Sequence, residues 1–443
     1  MRSVEPRATA VIKPSRTKKL RNGYPWVLRD EVVEVVGKVE PGELVAVVSP
    51  DQPAVGIGFW NPVSRFAVRM LDLQASSISQ EFFAAKFARA RARRVGLLVI
   101  GGAPGHDTSR APRGNVNLGD HDATRAQRDN VTSGERQAEN SVEPVMYRAP
   151  ASSTNSYRVA FAEADGLPGL IVDRYADWLI VQVRSAGMHH YRDLWLPALI
   201  QAEKPKGILE RSDMEGLAEE GLEPSVKVLF GEVPDEIEVI ENGLTFICPT
   251  RTGLKTGFYL DQRDARRKLS ELVTPGETVL DACCYSGGFT LFAARSGAIA
   301  TGLDILPEAI ELAKRNGQNI QGAEFICANV FEWLAETKEN FDTILLDPPA
   351  IAKTGDERDS LKGAIHKLTT LALPRLVFGG RLVVFSCSYQ LGVEALLEVV
   401  RSAINDQGRR CFVEDITLQP PDHPYLAQFP ESLYLKGIWL RVE

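Results

Sequence analysis

The chain is predicted to be an α/β protein: a parallel sheet with helices on both faces, preceded by a small β-rich unit and an α+β unit. Three observations predict this. From Glu277 onward, strand-like and helix-like segments alternate, as βαβ units require. Residues 11–73 hold only short β-rich segments broken by Gly and Pro, and residues 157–211 mix strands with a helix. At 443 residues the chain also exceeds one ordinary domain.

In the first unit, "ELVAVVSPDQPAVGIGFW" (43–60) and "RFAVRML" (65–71) read as strands, with a turn at Pro50–Pro53. A small barrel-like domain over residues 1–75 is expected. Residues 80–95 begin "QEFFAAKFARARARR", a helix with Phe82, Phe83 and Phe87 and a basic later half. Residues 101–155 then lack Phe, Trp and Ile and show no period, so they cannot offset the entropy of ordering. A flexible insertion is expected there, with His106 and His121 solvated and not bound to metal. Order returns at "YRVAFAEADGLPGLIVDRYADWLIVQV" (157–183), read as two strands, followed by a helix from Tyr191 to Glu203 and a strand at Lys206–Arg211. This unit, residues 76–243, closes on the acidic "GEVPDEIEVIENG". The third, residues 244–443, carries the alternation: "TVLDAC" and "FTLFAARSG", "IATGLDI" and "PEAIELAKRNGQN", "EFICANV" and "FEWLAE", "FDTILLDPP" with a later helix, "GGRLVVFSCS" and "GVEALLEVVRSAIN". Ligands of such sheets bind beyond the carboxyl ends of the strands.

Hydrophobic residues make up 44% and charged residues 25%, the balance of a soluble globular protein. The chain has no run of about 18 apolar residues and no apolar leader, so a cytoplasmic protein without a membrane partner is expected. Six cysteines without CxxC spacing imply reduced thiols. The net charge of −7 hides an asymmetry: residues 1–29 carry eight Lys or Arg against Glu5 alone.

Three strands of the last unit end in carboxylates. In "VLDACCYSGGFTL" (279–291), Asp281 precedes a Gly pair; it can accept from a ligand ammonium or order the loop. The motif is not GxGxxG, so a dinucleotide is not the obvious guest. Asp304 ends the next strand, where a carboxylate can take both hydroxyls of a ribose. In "LLDPPAIAK" (345–353), Pro348 forces Asp347 into extended backbone and the double proline stiffens the loop. A fifth strand ends "VVFSCSYQ" (383–390), leaving Cys387 either a small packing residue or a nucleophile at the open end of a sheet.

In this order the motifs resemble the Rossmann-like class I fold of S-adenosyl-L-methionine-dependent methyltransferases. The resemblance implies that Ser286, Gly287 and Gly288 pass under the methionine part of the cofactor, that Asp304 holds the ribose and that Asn329 meets the adenine. Asp281 and Asp347 complete the implied cofactor set. Members usually carry Asp at position 329; Asn still accepts from an adenine amine. A closer resemblance spans nearly the whole chain outside the insertion, to bacterial 23S ribosomal RNA cytosine-5 methyltransferases with an N-terminal PUA domain. Its marks are "RNGYPWVLRDEV", "EADGLPGLIVDRY", "ERSD", "KTGFYLDQR", "CYSGGFT", "LDPP", "FSCS" and "DHPYLAQFPESLYLKG". It implies large-subunit ribosomal RNA as partner, basic N-terminal residues on phosphates, Tyr24 or Trp26 stacked on a base or packed, and a homodimer as an option.

Carbon 5 of cytosine is too weak a nucleophile to take a methyl group unaided, and a thiolate added to carbon 6 makes it an enamine. Cys387 is the expected thiolate, with Asp347 hydrogen-bonding the ring nitrogen or amine. Cys283, Cys284 and Cys327 read as packing beside the cofactor loops, and Cys248 and Cys411 lie in no motif. Two rival functions remain: exocyclic-amine methylation, which usually places an aromatic residue where Ala350 stands, and an RNA-binding scaffold without catalysis.

Overall fold

The structure, a computed structural model, describes residues 3–98, 154–349 and 357–443. Most of the expected insertion, His106, His121 and Ala350 lie outside the described residues. The last two residues of that stretch are tied down: Asn155 exchanges hydrogen bonds with Ile240, and Thr154 Oγ1 accepts from Asn242 N.

The N-terminal sheet has six strands in the order Trp26–Val27, Val68–Asp72, Gln52–Trp60, Leu44–Ser49, Ala8–Ile12, Val32–Val36. In Ala8–Ile12 the alternate residues Ala8, Ala10 and Ile12 turn inward onto Val45, Val47 and Val68, which is the period-two pattern of a half-buried strand. Helix Pro14–Arg21 leaves Lys18, Lys19 and Arg21 exposed while Arg16 is buried against the Trp26 carbonyl. Tyr24 and Trp26 are packed: Trp26 lies 4.0 Å from Phe66 and 4.4 Å from Phe429, donating its Nε1–H to Glu163. Tyr24 meets Phe429 edge-on and donates to Glu431.

The central sheet runs Ser225–Gly231, Gly207–Ser212, Trp178–Val183, Leu170–Tyr175, Ser156–Phe161. Residues 157–183 thus give three strands and not two. The second and third are joined through Ala176 and Asp177 alone, with Ala176 at φ 51°, a tight turn that lacks the usual Gly or Asn and so is nearly silent in sequence. Helices Gln80–Leu98 and Arg192–Glu203 pack together over this sheet, burying Phe83, Phe87, Trp195 and Leu199. The acidic stretch forms a hairpin, Glu236–Glu241 with Leu244–Pro249, whose Ile237 and Val239 face inward between exposed glutamates. The boundary expected after Gly243 falls in its turn.

The C-terminal sheet has seven strands: β1 (Thr278–Ala282), β2 (Ile299–Asp304), β3 (Ala323–Cys327), β4 (Phe341–Leu346), β5 (Leu376–Ser386), β6 (Cys411–Leu418) and β7 (Lys436–Val442), in the order β3-β2-β1-β4-β5-β7-β6. The first five are parallel, whereas β7 is antiparallel to both its neighbours, so the sheet is mixed and not purely parallel as expected. Helices α1 (Arg263–Leu272), α2 (Gly288–Arg295), α3 (Pro307–Gly317), α4 (Val330–Glu336), α5 (Glu357–Ala372) and α6 (Val393–Asp406) flank it. Alternate strand residues feed two cores. Leu280, Ile344, Leu382 and Val384 meet α5 and α6, while Val279, Leu345, Val383 and Phe385 meet α1 and α2. Burial on both faces explains why these strands read as unbroken apolar runs.

Buried charges weld the units. Asp422 accepts from Arg263 (2.7 Å) and from Arg158 N, Arg158 pairs with Asp173, and Arg94, 1% exposed, joins Asp165 to the Asp422 carbonyl. Breaking one member of such a cluster typically costs about 3–5 kcal/mol, because the partner charge is left buried and alone.

Candidate active site

Strand order reverses between β1 and β4, and there the carboxyl ends of the strands open into a crevice. A cavity of about 610 Å³ occupies it, a size suited to a cofactor or drug-sized ligand. Ser286, Gly288, Asp304, Asn329, Asp347 and Cys387 line it. The structure therefore brings together six of the eight residues singled out in the sequence.

The other two stand behind the wall. Asp281 is buried and accepts from the Thr290 N–H (3.0 Å) and Oγ1–H (2.8 Å) with one oxygen, tying β1 to the first turn of α2. Of its two expected roles, ordering the loop is the one the hydrogen bonds display. Its second oxygen has no partner, and burial raises the carboxyl to about 6. Gly287 is the N-cap of α2 at φ 81°, with Phe325 against its Cα, so a side chain there would meet strain and a ring at once.

Among the described residues seven non-glycines have positive φ, and three of them, Lys255 (54°), Cys283 (69°) and Tyr285 (47°), line the cavity. Each such residue costs about 1–2 kcal/mol, and stored backbone strain of this kind gathers at functional sites. In the β1–α2 loop the strained turn points Tyr285 N at Asp304, whose Oδ2 accepts at 2.8 Å while Oδ1 accepts from Leu306 N at 3.0 Å. Two backbone donors thereby aim the carboxylate, leaving its remaining lone pairs for a ligand. Asn329 caps α4 through Oδ1, which accepts from Phe331 N at 2.9 Å.

Asp347 accepts from Gln262 Nε2 (2.9 Å), and burial raises its carboxyl to about 7. Cys387 follows β5. Burial pushes its thiol up, Lys255 works against that, and Asp347 and Asp261 add to it. Cys283 also lines the cavity, yet there burial is reinforced by Asp304, Asp347 and Asp281 with no opposing cation, and its thiol lies far above the ordinary range. Charge, more than position, separates the two thiols. Cys284 is buried, and Cys327 is exposed outside the cavity.

Sequence reasoning missed four polar residues here. Lys255 Nζ contacts Asp261 at 2.5 Å and lies 4.1 Å from the centre of the Tyr259 ring. Burial works to raise the Asp261 carboxyl, but Lys255 and the Tyr434 hydroxyl (2.7 Å) hold it well below the usual range. Asp261 Oδ1 and Gln262 Oε1 are buried without a partner. Lys436, on β7, is 1% exposed beside the Cys387 turn. The motif "KTGFYLDQR" held three of these four, and nothing in its spacing assigned them a role.

Residues 10–73 match the model of a PUA-like domain family, and residues 273–415 that of a methyltransferase domain family. Fold and cavity thus define a methyltransferase with a PUA-like domain at its N-terminal end. The chain is 33% identical to the ribosomal RNA large subunit methyltransferase I of Shewanella amazonensis, covering 97% of this chain and 98% of the relative. To that of Pseudoalteromonas atlantica it is 32% identical, with 97% and 98% covered. It belongs to the ribosomal RNA large subunit methyltransferase I family. The fold is also that of a SAM-dependent methyltransferase from Streptococcus mutans, with a TM-score of 0.74 over 98% of this chain and 99% of that one, at 18% identity. Among the described residues no helix is long and apolar enough to cross a membrane, and no cluster of His, Cys, Asp and Glu is suited to a metal.

Proposed function

We propose that the protein methylates carbon 5 of a cytosine in large-subunit ribosomal RNA, using S-adenosyl-L-methionine and a transient bond from Cys387 to carbon 6 of the base. The relatives' names supply the RNA class. One observation carries the chemistry: Cys387 and Asp347 leave neighbouring strands β5 and β4 into one cavity, where Lys255 opposes the acidic groups around the thiol.

The cavity residues fit the cofactor. Asp304 is oriented for a ribose diol, and Asn329 keeps an amide and a lone pair for an adenine edge. Ile305, Leu306 and Phe331 offer apolar walls, and Arg266 reaches the start of α2 beside Gly288, where a carboxylate is favoured. When bound, the cofactor supplies an electrophilic methyl on a sulfonium. Cys387 then adds to carbon 6 as a thiolate. Asp347, poised near neutrality, donates its proton to the ring nitrogen as charge builds there, and Gln262 keeps the carboxyl oriented. Carbon 5, now enamine-like, takes the methyl as the methyl's bond to the sulfonium sulfur breaks; the carbon 5 proton then leaves to solvent, the carbon 6–sulfur bond breaks to release the thiolate, and the ring nitrogen returns its proton to Asp347. Lys18, Lys19 and Arg21 contact phosphates, and the setting is the cytoplasm.

RNA carrying 5-fluorocytosine tests this, because fluorine at carbon 5 blocks the final elimination. Wild type is expected to give a covalent complex on a denaturing gel, and Cys387→Ala none. An adduct formed by the mutant, or a product methylated on the exocyclic amine, defeats the proposal.

A further inference from the structure

Lys436 is a buried ammonium that the steps above leave unused. It opens β7 directly opposite Ser386 in the antiparallel ladder, and Cys387 is the residue that follows β5. Its Nζ donates to the Ser388 carbonyl at 2.5 Å and to the Tyr434 carbonyl at 2.9 Å. The ammonium therefore grips the chain on the far side of Cys387 while its own residue pairs on the near side. A lysine has three N–H donors, so one remains for the space between.

Among the described residues no carboxylate pairs with Lys436, although it is 1% exposed. Burial alone pulls it down to about 8, and the one charge that opposes this is Cys387. An unpaired buried cation is costly unless an anion forms next to it. The groups facing Cys387 are Asp347 from the end of β4, Lys255, Tyr259 and Asp261 from the loop before α1, and Lys436 from the start of β7. Lys255 is already matched by Asp261 at 2.5 Å. Lys436 is the cation left over.

We propose that Lys436 is a positioning residue for Cys387: by holding both ends of the turn it places a positive charge beside the sulfur and stabilises the thiolate. The thiol proton leaves to solvent through the cavity, and the ammonium keeps its own. This rests on the reading of Cys387 as the nucleophile, but its test does not require methyl transfer.

The test follows alkylation of Cys387 by iodoacetamide in the full-length protein, by peptide mass spectrometry from about pH 6 to about pH 10, with the exposed Cys327 outside the cavity as internal reference. Lys436→Gln keeps a donor for the carbonyls and removes the charge; Lys436→Met removes both; Lys436→Arg keeps the charge. In the Gln and Met variants the midpoint for Cys387 is expected to rise by about one pH unit or more, so that alkylation near pH 7.5 slows about tenfold. The Arg variant is expected to keep the wild-type midpoint, and Cys327 to stay unmoved. Binding of S-adenosylhomocysteine, by calorimetry, reports whether each variant is folded. An unchanged midpoint in a variant that binds it overturns the inference. So does a rate change of equal size at every pH, which a merely loosened turn produces, or loss of binding in both neutral variants, which makes the lysine a folding residue. The 5-fluorocytosine trap separates this from the earlier proposal: an adduct without a midpoint shift sinks Lys436 alone, and a shift without an adduct sinks the covalent mechanism alone.

Discussion

Replacing Asp347 by Asn removes one ionisation and almost no volume, and the structure sets the size of the effect. Burial holds this carboxyl at about 7, against an ordinary value of 3.8. At about 1.4 kcal/mol per pH unit, the gap of roughly three units corresponds to about 4 kcal/mol, and cavity water reduces it to about 2–4 kcal/mol. The native state binds the proton more tightly than the unfolded chain does. The carboxyl's contribution to stability is therefore complete below its unfolded pKa of 3.8 and lost as the pH rises through about 7. Asparagine does not titrate, and its Oδ1 still accepts from Gln262. Asp347→Asn is thus expected to gain on wild type steadily between about pH 4 and about pH 7 and to hold that lead above. Thermal midpoints of both proteins, measured without cofactor at about pH 5 and about pH 8.5, read this out. A lead of about 5–10 °C at the higher pH and a much smaller one at the lower is expected. Equal differences at the two pH values, or a variant that melts below wild type at the higher one, refute the claim that Asp347 is held protonated by burial. The stabilised variant is also expected to lose methyl transfer, since a strained or desolvated catalytic group is kept at the expense of stability.

Asn329→Asp keeps an equally good cap for α4 and gives the adenine edge a charged acceptor, so S-adenosylhomocysteine is expected to bind about fivefold tighter by calorimetry. Unchanged or weaker binding removes Asn329 from the adenine site. Replacing the exposed Lys18 and Lys19 by Ala is expected to leave the melting temperature unchanged, to weaken binding to ribosomal RNA fragments, and to lower the slope of log K against log salt by about 1–2. An unaltered slope in an anisotropy titration takes this helix out of the RNA interface.

Much of the C-terminal sheet was legible because helix and strand periods are local properties, and each of the five expected strand–helix pairs is present. The pair β6 and β7 was not, since antiparallel pairing depends on where a strand travels and its residues do not record that. The same holds for the missed third strand of the central sheet, whose two-residue turn puts Ala176, and not Gly or Asn, at positive φ, leaving Asp177 as its one weak mark. In the site, Asp304, Asp347 and Cys387 could be found because each stands at the end of a strand, whereas Asn329, past β3 at the N-cap of α4, came only from the family resemblance. Asp281 ends one too, yet its bonds to Thr290 place it behind the cavity wall. Trp26 shows the limit for aromatic residues: an exposed stacking platform and a packed interface read alike until Phe66 and Phe429 arrive around the ring.

The sequence by itself determined which residues stand at the carboxyl edge of the sheet, because hydrophobic period and proline stiffness act over a few bonds. Only the tertiary structure decided their charge environment. Lys255 comes from before α1 and Lys436 from the last strand, and they meet Cys387 through a mixed sheet and a returning C-terminal chain. Electrostatic energy depends on distance in space and on exclusion of water, neither of which is a property of neighbours in the chain. That is why a cysteine at the end of β5 was visible in the sequence and the lysines around it were not.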